Sequence, residues 1–306
     1  MAMGFSEADV ISVLRKVFAT TDSRVIVGIG DDAAVMRGAQ QQVITTDMAV
    51  QGVHFNLEWS SAFDIGRKIT AANIADVLSM GAKCDYLVAA VSLTGDEEIS
   101  WIENLARGMK AEADHAGAVI VGGDIARSSV ITIAMTAVGE TSSPILRSGA
   151  RVGDGIFISS LPGWSAAGLE LLSRKISINS ALAEKALCEF SAPSLDYSID
   201  YTSAHSMSDV SDSLIIQATQ MADASAVGFA FDTALIESET EFLEMSALAA
   251  EMNSDPWQWI LGGGEDHVLL ATGENLPGLR IGRVVSGAGI SGVEMKKAPV
   301  SWSHFN

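Results

Sequence analysis

Apolar residues recur at helical spacing near the start of the chain, where Val10, Ile11, Leu14, Val17 and Phe18 share one face of a helix expected over residues 6–18. Ser6 and Asp9 have the spacing of a capping box at its start. Short β-branched runs follow at 25–29 and 43–46. Helical periodicity returns over 64–80 and stops at Gly81, a residue suited to the left-handed end of a helix. Strand and helix then alternate: a strand at 86–93, a helix at 99–115, a strand at 119–121 ending in Gly122-Gly123-Asp124, and a strand at 130–138. The second half carries helical patterns at 166–173, 181–190, 214–224 and 239–252, with strands at 228–231, 268–272 and 279–285. The pattern predicts an α/β (α+β) fold with mixed sheets. The stretch 147–154 is rich in glycine and charge, which puts a domain boundary near residue 149 and gives domains 1–148 and 149–306. No repeat of 20–50 residues and no low-complexity tract interrupts it.

With 306 residues, 48% of them hydrophobic, the chain can bury the core of two domains. Its 38 acidic residues against 19 basic ones repel phosphate backbones and anionic membrane surfaces, so neither nucleic acid nor membrane is an expected partner. If the substrate is itself anionic, bound divalent cations reconcile it with so acidic a protein. Cys84 and Cys188 form no C-x-x-C pair, which argues against a zinc site and a disulfide framework and fits a reducing compartment. No basic segment precedes an apolar run at the start, and no stretch approaches the roughly 18 apolar residues of a membrane span. A cytoplasmic location is the expectation.

The common nucleotide and hydrolase motifs are missing: G-x-x-x-x-G-K-[ST], H-E-x-x-H, G-x-S-x-G and the protein-kinase catalytic loop. One G-x-G-x-x-G match, Gly287 to Gly292, follows a strand but leads into Val-Glu-Met-Lys-Lys rather than an apolar helix, and is expected to be a hairpin turn. Aspartates instead recur where strands are expected to end: Gly28-Ile-Gly-Asp-Asp32, Thr45-Thr-Asp47, Asn73-Ile-Ala-Asp76, Gly122-Gly-Asp124 and Asp209-Val-Ser-Asp212. Magnesium is a hard cation that takes one or two carboxylates together with substrate phosphates, so scattered aspartates converging on a polyphosphate suit it. The glycines at 28, 30, 122 and 123 allow the backbone to approach phosphate oxygens. The alternative for any one aspartate is a capping role at a turn or helix start.

Taken in order, Gly28-Ile-Gly-Asp-Asp-Ala-Ala-Val, Thr45-Thr-Asp-Met-Ala-Val-Gln-Gly-Val-His-Phe55, Asn73-Ile-Ala-Asp-Val-Leu-Ser-Met-Gly-Ala82, Val121-Gly-Gly-Asp-Ile-Ala-Arg127, Leu146-Arg-Ser-Gly-Ala-Arg-Val-Gly-Asp154 and Gly263-Gly-Glu-Asp266 resemble the signature of the thiamine-monophosphate kinases. These belong to the aminoimidazole ribonucleotide synthetase-like superfamily. The resemblance spans residues 28–305 and implies a two-domain fold with mixed sheets, the N-terminal sheets pairing across a homodimer. It implies ATP-dependent phosphorylation of thiamine monophosphate to thiamine diphosphate, by direct in-line transfer with several Mg2+ ions and no covalent nucleophile. By similarity, Asp32, Thr45, Thr46, Asp47, Asp76, Asp124, Asp209 and Asp212 hold magnesium; Gly123, Asp124, Arg147 and Ser211 contact ATP; His54, Glu265 and Trp302 contact the substrate.

The chain departs from the resemblance at Ser213, where glycine is usual, at His267, where tyrosine is expected, and across 191–206, which lacks the usual Pro-x-Pro-Arg. Three other readings stand beside the kinase: an ATP-dependent synthetase of the same superfamily, a paralogue that binds nucleotide and metal without turnover, and an acidic interaction protein.

Overall fold

The computed structural model describes residues 7–27, 35–36, 38 and 41–293. Asp32 and Trp302, two of the expected site residues, lie outside the described residues, as do Gly28, Gly30 and Asp31. Two compact units emerge: Met1–Val77 with Ala82–Ser142, and Leu78–Gly81 with Ser143–Asn306.

The first unit contains α1 (Glu7–Val17), β1 (Val25–Val27), β2 (Val35–Met36), β3 (Gln42–Val50), most of α2 (Ala62–Ser79), β4 (Lys83–Leu93), α3 (Ile99–Ala116), β5 (Val119–Arg127) and β6 (Thr132–Glu140). Four strands form a mixed sheet in the order β3-β6-β4-β5, in which only β4 and β5 run parallel. That parallel pair needs the long crossover that α3 supplies. Strict alternation on β6 buries Ile133, Met135 and Ala137 completely on one face. At the end of α2, Gly81 adopts φ +66°, the left-handed conformation expected of it.

Helices α2 and α3 approach at glycines. A Cβ on Gly108 would lie 1.9 Å from the Phe63 carbonyl oxygen, and one on Gly66 would lie 2.2 Å from that of Leu105. Both obstacles are backbone, so no rotamer change relieves them. Gly108→Ala is therefore expected to destabilise the first unit by about 2 kcal/mol despite alanine's better helix propensity. Urea unfolding checks this, and unchanged stability would mean the helices can separate freely.

The second unit contains β7 (Gly155–Ile158), α4 (Trp164–Ser173), α5 (Ala181–Ser191), β8 (Ser206–Val210), α6 (Leu214–Ser225), β9 (Gly228–Phe231), α7 (Thr233–Glu237), α8 (Thr240–Met252), α9 (Pro256–Gly262), β10 (Val268–Gly273), β11 (Leu279–Val285) and β12 (Gly289–Ser291). Its sheet runs β12-β9-β11-β7-β10-β8, antiparallel except at β12–β9. Ile156, Ile158, Leu270, Phe229 and Ile281 from four of these strands meet Leu214, Met221 and Leu248 from the helices in one core.

Three sequence expectations change. The strands through Asp47 and Asp124 do not end there: β3 continues to Val50 and β5 to Arg127, because each stays in register with its neighbour beyond the aspartate. The Gly287–Gly292 segment is no hairpin, since β12 pairs with β9 rather than with β11, and glycines 287 and 289 with φ +114° and +75° turn the chain across the end of β9. The periodicity also leaves out β7 and β8, which are buried on both faces and so show no alternation. No helix among the described residues is long and apolar enough to cross a membrane.

Candidate functional site

In the first unit three of the expected ligands, Thr45, Asp47 and Asp76, meet where α2 faces β3. Asn73 and Asp76 are three residues apart and so share one side of α2. The buried Asn73 side chain donates to the Ile69 carbonyl at 2.8 Å, which turns its own carbonyl oxygen to accept from the Asp47 backbone N–H at 3.1 Å. One turn on, Asp76 Oδ2 accepts from the Thr45 hydroxyl at 2.6 Å. Thr45, Asp47 and Asp76 are half-buried in this arrangement. Thr46 is not part of it: alternation puts its hydroxyl on the opposite face of β3, where it donates to the Met135 carbonyl at 2.9 Å.

His54 follows at the end of the same strand. The amides of Val53 and His54 both donate to the Val50 carbonyl, at 3.1 and 2.9 Å, and Gly52 at φ +81° closes the turn. Val50 N–H donates in return to His54 Nδ1 at 3.1 Å, so the neutral ring carries its proton on Nε2. Gly123 and Asp124 lie exposed on β5, at the other edge of the sheet from β3. Three strand spacings, about 14 Å, separate those edges. Gly123 is required for strand approach, since a Cβ there would sit 2.0 Å from the Ala89 carbonyl oxygen.

In the second unit, segments 209–213 and 263–267 are bound to each other. Glu265 N–H donates to the Ser211 carbonyl at 2.7 Å and His267 N–H to the Val210 carbonyl at 3.0 Å. Asp209, buried at the end of β8, has Oδ2 3.3 Å from His267 Nδ1. His267, found where the resemblance implied tyrosine, is thus engaged with Asp209. A Cβ on Gly264 would lie 2.5 Å from the Ser211 carbonyl oxygen, so the two segments touch through bare backbone.

Glu265 and His267 both adopt left-handed conformations, φ +68° and +53°, which cost non-glycine residues about 1 kcal/mol each. Asp266 between them is the anchor. Its buried carboxylate accepts from the amides of Gly163 at 2.9 Å and Ser165 at 3.0 Å, capping the first turn of α4. Burial pushes its pKa up to about 6 in spite of these two hydrogen bonds, which pull the other way.

Asp212 is exposed just ahead of Ser213, whose hydroxyl caps α6 by accepting from Ile216 N–H at 3.2 Å. Serine thus has a local task at the position where glycine is usual. Arg147 is exposed and donates to Gln220 Oε1 at 2.9 Å.

The side chains expected to hold magnesium, Thr45, Asp47, Asp76, Asp124, Asp209 and Asp212, offer only carboxylate or hydroxyl oxygens, which is the chemistry magnesium prefers. Among the described residues no three His, Cys, Asp or Glu side chains gather as a metal site. The residues expected to hold magnesium come in ones and twos from separate elements, an arrangement that needs phosphate oxygens and water to fill a cation's remaining positions. Sequence reasoning assigned no role to Asn73 or Asp266. Spacing from Asp76 was an available signal for Asn73, whereas nothing local marks Asp266 as the cap of α4.

Residues 30–141 match the family described as AIR synthase related protein, N-terminal domain. The thiamine-monophosphate kinase of Mycobacterium tuberculosis (strain ATCC 25618 / H37Rv) is 36% identical over 269 residues, covering 86% of this chain and 80% of that protein. Among solved structures, the thiamine-monophosphate kinase from Stenotrophomonas maltophilia K279a aligns with a TM-score of 0.82 at 28% identity, covering 94% of this chain and 97% of that one. AaThiL complexed with AMPPCP and TMP aligns with a TM-score of 0.80 at 29% identity, covering 99% and 97%. Sequence identity at this level over most of both chains, with the fold shared throughout, has one consequence: the chain belongs to the thiamine-monophosphate kinase family.

Proposed function

We propose that the protein transfers the terminal phosphoryl group of ATP to thiamine monophosphate, releasing thiamine diphosphate and ADP. Family membership over most of the chain carries this reading. An oxygen of the acceptor phosphate forms the new bond to the γ-phosphorus while the bond to the bridging β,γ-oxygen breaks. The acceptor's second pKa is near 6, so at neutral pH it is largely dianionic and attacks without a general base or a covalent nucleophile from the protein.

What the protein must do is hold two polyanions together. Asp47, Asp76, Asp124, Asp209 and Asp212, with the Thr45 hydroxyl and with Asp32 from outside the described residues, are the side chains that would hold magnesium. Bound there, Mg2+ supplies the positive charge that offsets the crowding of phosphate oxygens. The Thr46 hydroxyl, turned to the other face of β3, does not join this side-chain set. Arg147 brings a guanidinium suited to phosphate oxygens, and Ser211 and the backbone at Gly123 complete the nucleotide contacts. Glu265 attracts the cationic thiazolium, His54 offers its Nε2–H, and Trp302, outside the described residues, offers a ring for stacking.

A homodimer in the cytoplasm belongs to the same reading. Among the described residues, strands β3 and β5 are the edges of their sheet, and Ile44 and Met48 on β3 are 64% and 57% exposed, apolar surface that a second copy would cover.

The test is ADP release and thiamine diphosphate formation from ATP, Mg2+ and thiamine monophosphate, beside a reaction given unphosphorylated thiamine. Product from the monophosphate alone is the expected result. Thermal stabilisation by Mg2+ and ATP without ADP release would favour a binding paralogue, and no stabilisation at all an interaction protein.

A further inference from the structure

Arg147 and Ser211 are far apart in sequence, yet both are held by one face of α6. Gln217 and Gln220 are three residues apart and therefore neighbours on that helix. Gln217 is buried and donates through Nε2 to the Ser211 hydroxyl at 3.2 Å, while its Oε1 accepts from the Ser208 hydroxyl at 3.4 Å. Gln220 accepts from Arg147 Nη1 at 2.9 Å. The last residue of α6 secures the same loop: Ser225 Oγ accepts from the amides of Gly149 and Ala150 at 3.1 and 3.2 Å and donates to the Arg147 carbonyl at 3.4 Å. Met207 N–H, on the neighbouring β8, donates to the Leu146 carbonyl at 3.0 Å. The backbone of Arg147 is thus pinned on both sides, and its guanidinium is aimed by Gln220.

We propose that Gln217 and Gln220 are positioning residues for ATP, acting through Ser211 and Arg147, with α6 setting the separation between the two contacts. The inference rests on the reading that Arg147 and Ser211 touch the nucleotide. An arginine side chain has several rotatable bonds, and ordering it only upon binding costs free energy that a standing acceptor has already removed. Glutamine suits this better than glutamate would, because a neutral acceptor holds the guanidinium without neutralising the charge meant for phosphate. Neither glutamine bonds to the other, so each serves its own contact.

A double-mutant cycle separates the inference from the reading beneath it. Gln220→Ala is expected to raise the KM for ATP about three- to tenfold, leaving kcat, the KM for thiamine monophosphate and the thermal midpoint close to wild type, since Gln220 is exposed. Arg147→Ala should raise the KM for ATP further. The double variant should match Arg147→Ala alone, because a residue that acts only through Arg147 has nothing left to position. The parallel cycle of Gln217→Ala with Ser211→Ala should be non-additive in the same way. If the Gln220 and Arg147 effects multiply, or if Gln220→Ala lowers kcat and stability while sparing the KM for ATP, the positioning role is wrong although the kinase reading stands. If Arg147→Ala itself leaves the KM for ATP unchanged, the assignment of Arg147 to the nucleotide fails and this inference falls with it.

Discussion

Replacing Asp47 with asparagine is expected to lower the rate of thiamine diphosphate formation by about a thousandfold while leaving the protein folded. Asparagine has nearly the same shape, and the substitution keeps the hydrogen bond from the backbone N–H of residue 47 to Asn73. What disappears is one negative charge from the oxygen set that would hold magnesium against the two phosphate groups. Removing a single preorganised electrostatic partner of a transition state commonly costs a hundred- to a thousandfold, and a lost metal ligand belongs at the upper end. Single-turnover rates at saturating Mg2+, together with a melting curve, provide the check. A rate within tenfold of wild type would remove Asp47 from the metal set, and a collapsed melting transition would make its role one of folding.

Asp266 should leave its mark on stability rather than on chemistry. Its carboxyl titrates at about 6 in the folded protein against 3.8 for the free group. Between those values the folded chain keeps a proton that the unfolded chain has lost. Stability then falls as pH rises through this window, and is level on either side of it. A shift of that size corresponds to about 3 kcal/mol at 1.36 kcal/mol per unit. In Asp266→Asn, which cannot titrate, this slope is absent. Urea unfolding of both proteins from pH 4 to 7 should therefore show wild type losing about 3 kcal/mol relative to the variant as pH rises. A constant gap would return Asp266 to an ordinary carboxylate. The variant should also weaken the 263–267 turn, because Gly163 and Ser165 donate to different oxygens of the carboxylate and asparagine replaces one of the two with an NH2 group that donates rather than accepts.

Much of the fold was legible because its signals are local. The stripes that gave α3 and α6 depend on residues within a turn or two of each other, and β9 and β11 were read from their β-branched or aromatic runs to the same bounds that they have in the fold. β7 and β8 escaped because strands covered on both faces lose the alternation that marks a strand. Aspartate is disfavoured in strands, so 47 and 124 read as strand ends, but β6 and β4 hold those strands in register past them.

The site divides along similar lines. Its chemistry was written in the chain: an excess of carboxylates, hydroxyls beside them, glycines where backbone comes close, and an ordered set of motifs that identifies the family. Even the separation of Thr46 from Thr45 and Asp47 follows from the two-residue period of a strand. Partnership was not legible. Asp266 caps a helix whose N-cap residue, Gly163, lies 103 residues earlier, and Gln220 reaches back 73 residues to Arg147. Contacts over such separations exist only once the chain has closed its loops and stacked its sheets, so no neighbouring residue carries their signature. The sequence alone determined which groups are present and most of the elements that bear them. Tertiary structure decided which side chains hold those groups in place, since that depends on packing between distant segments rather than on local periodicity.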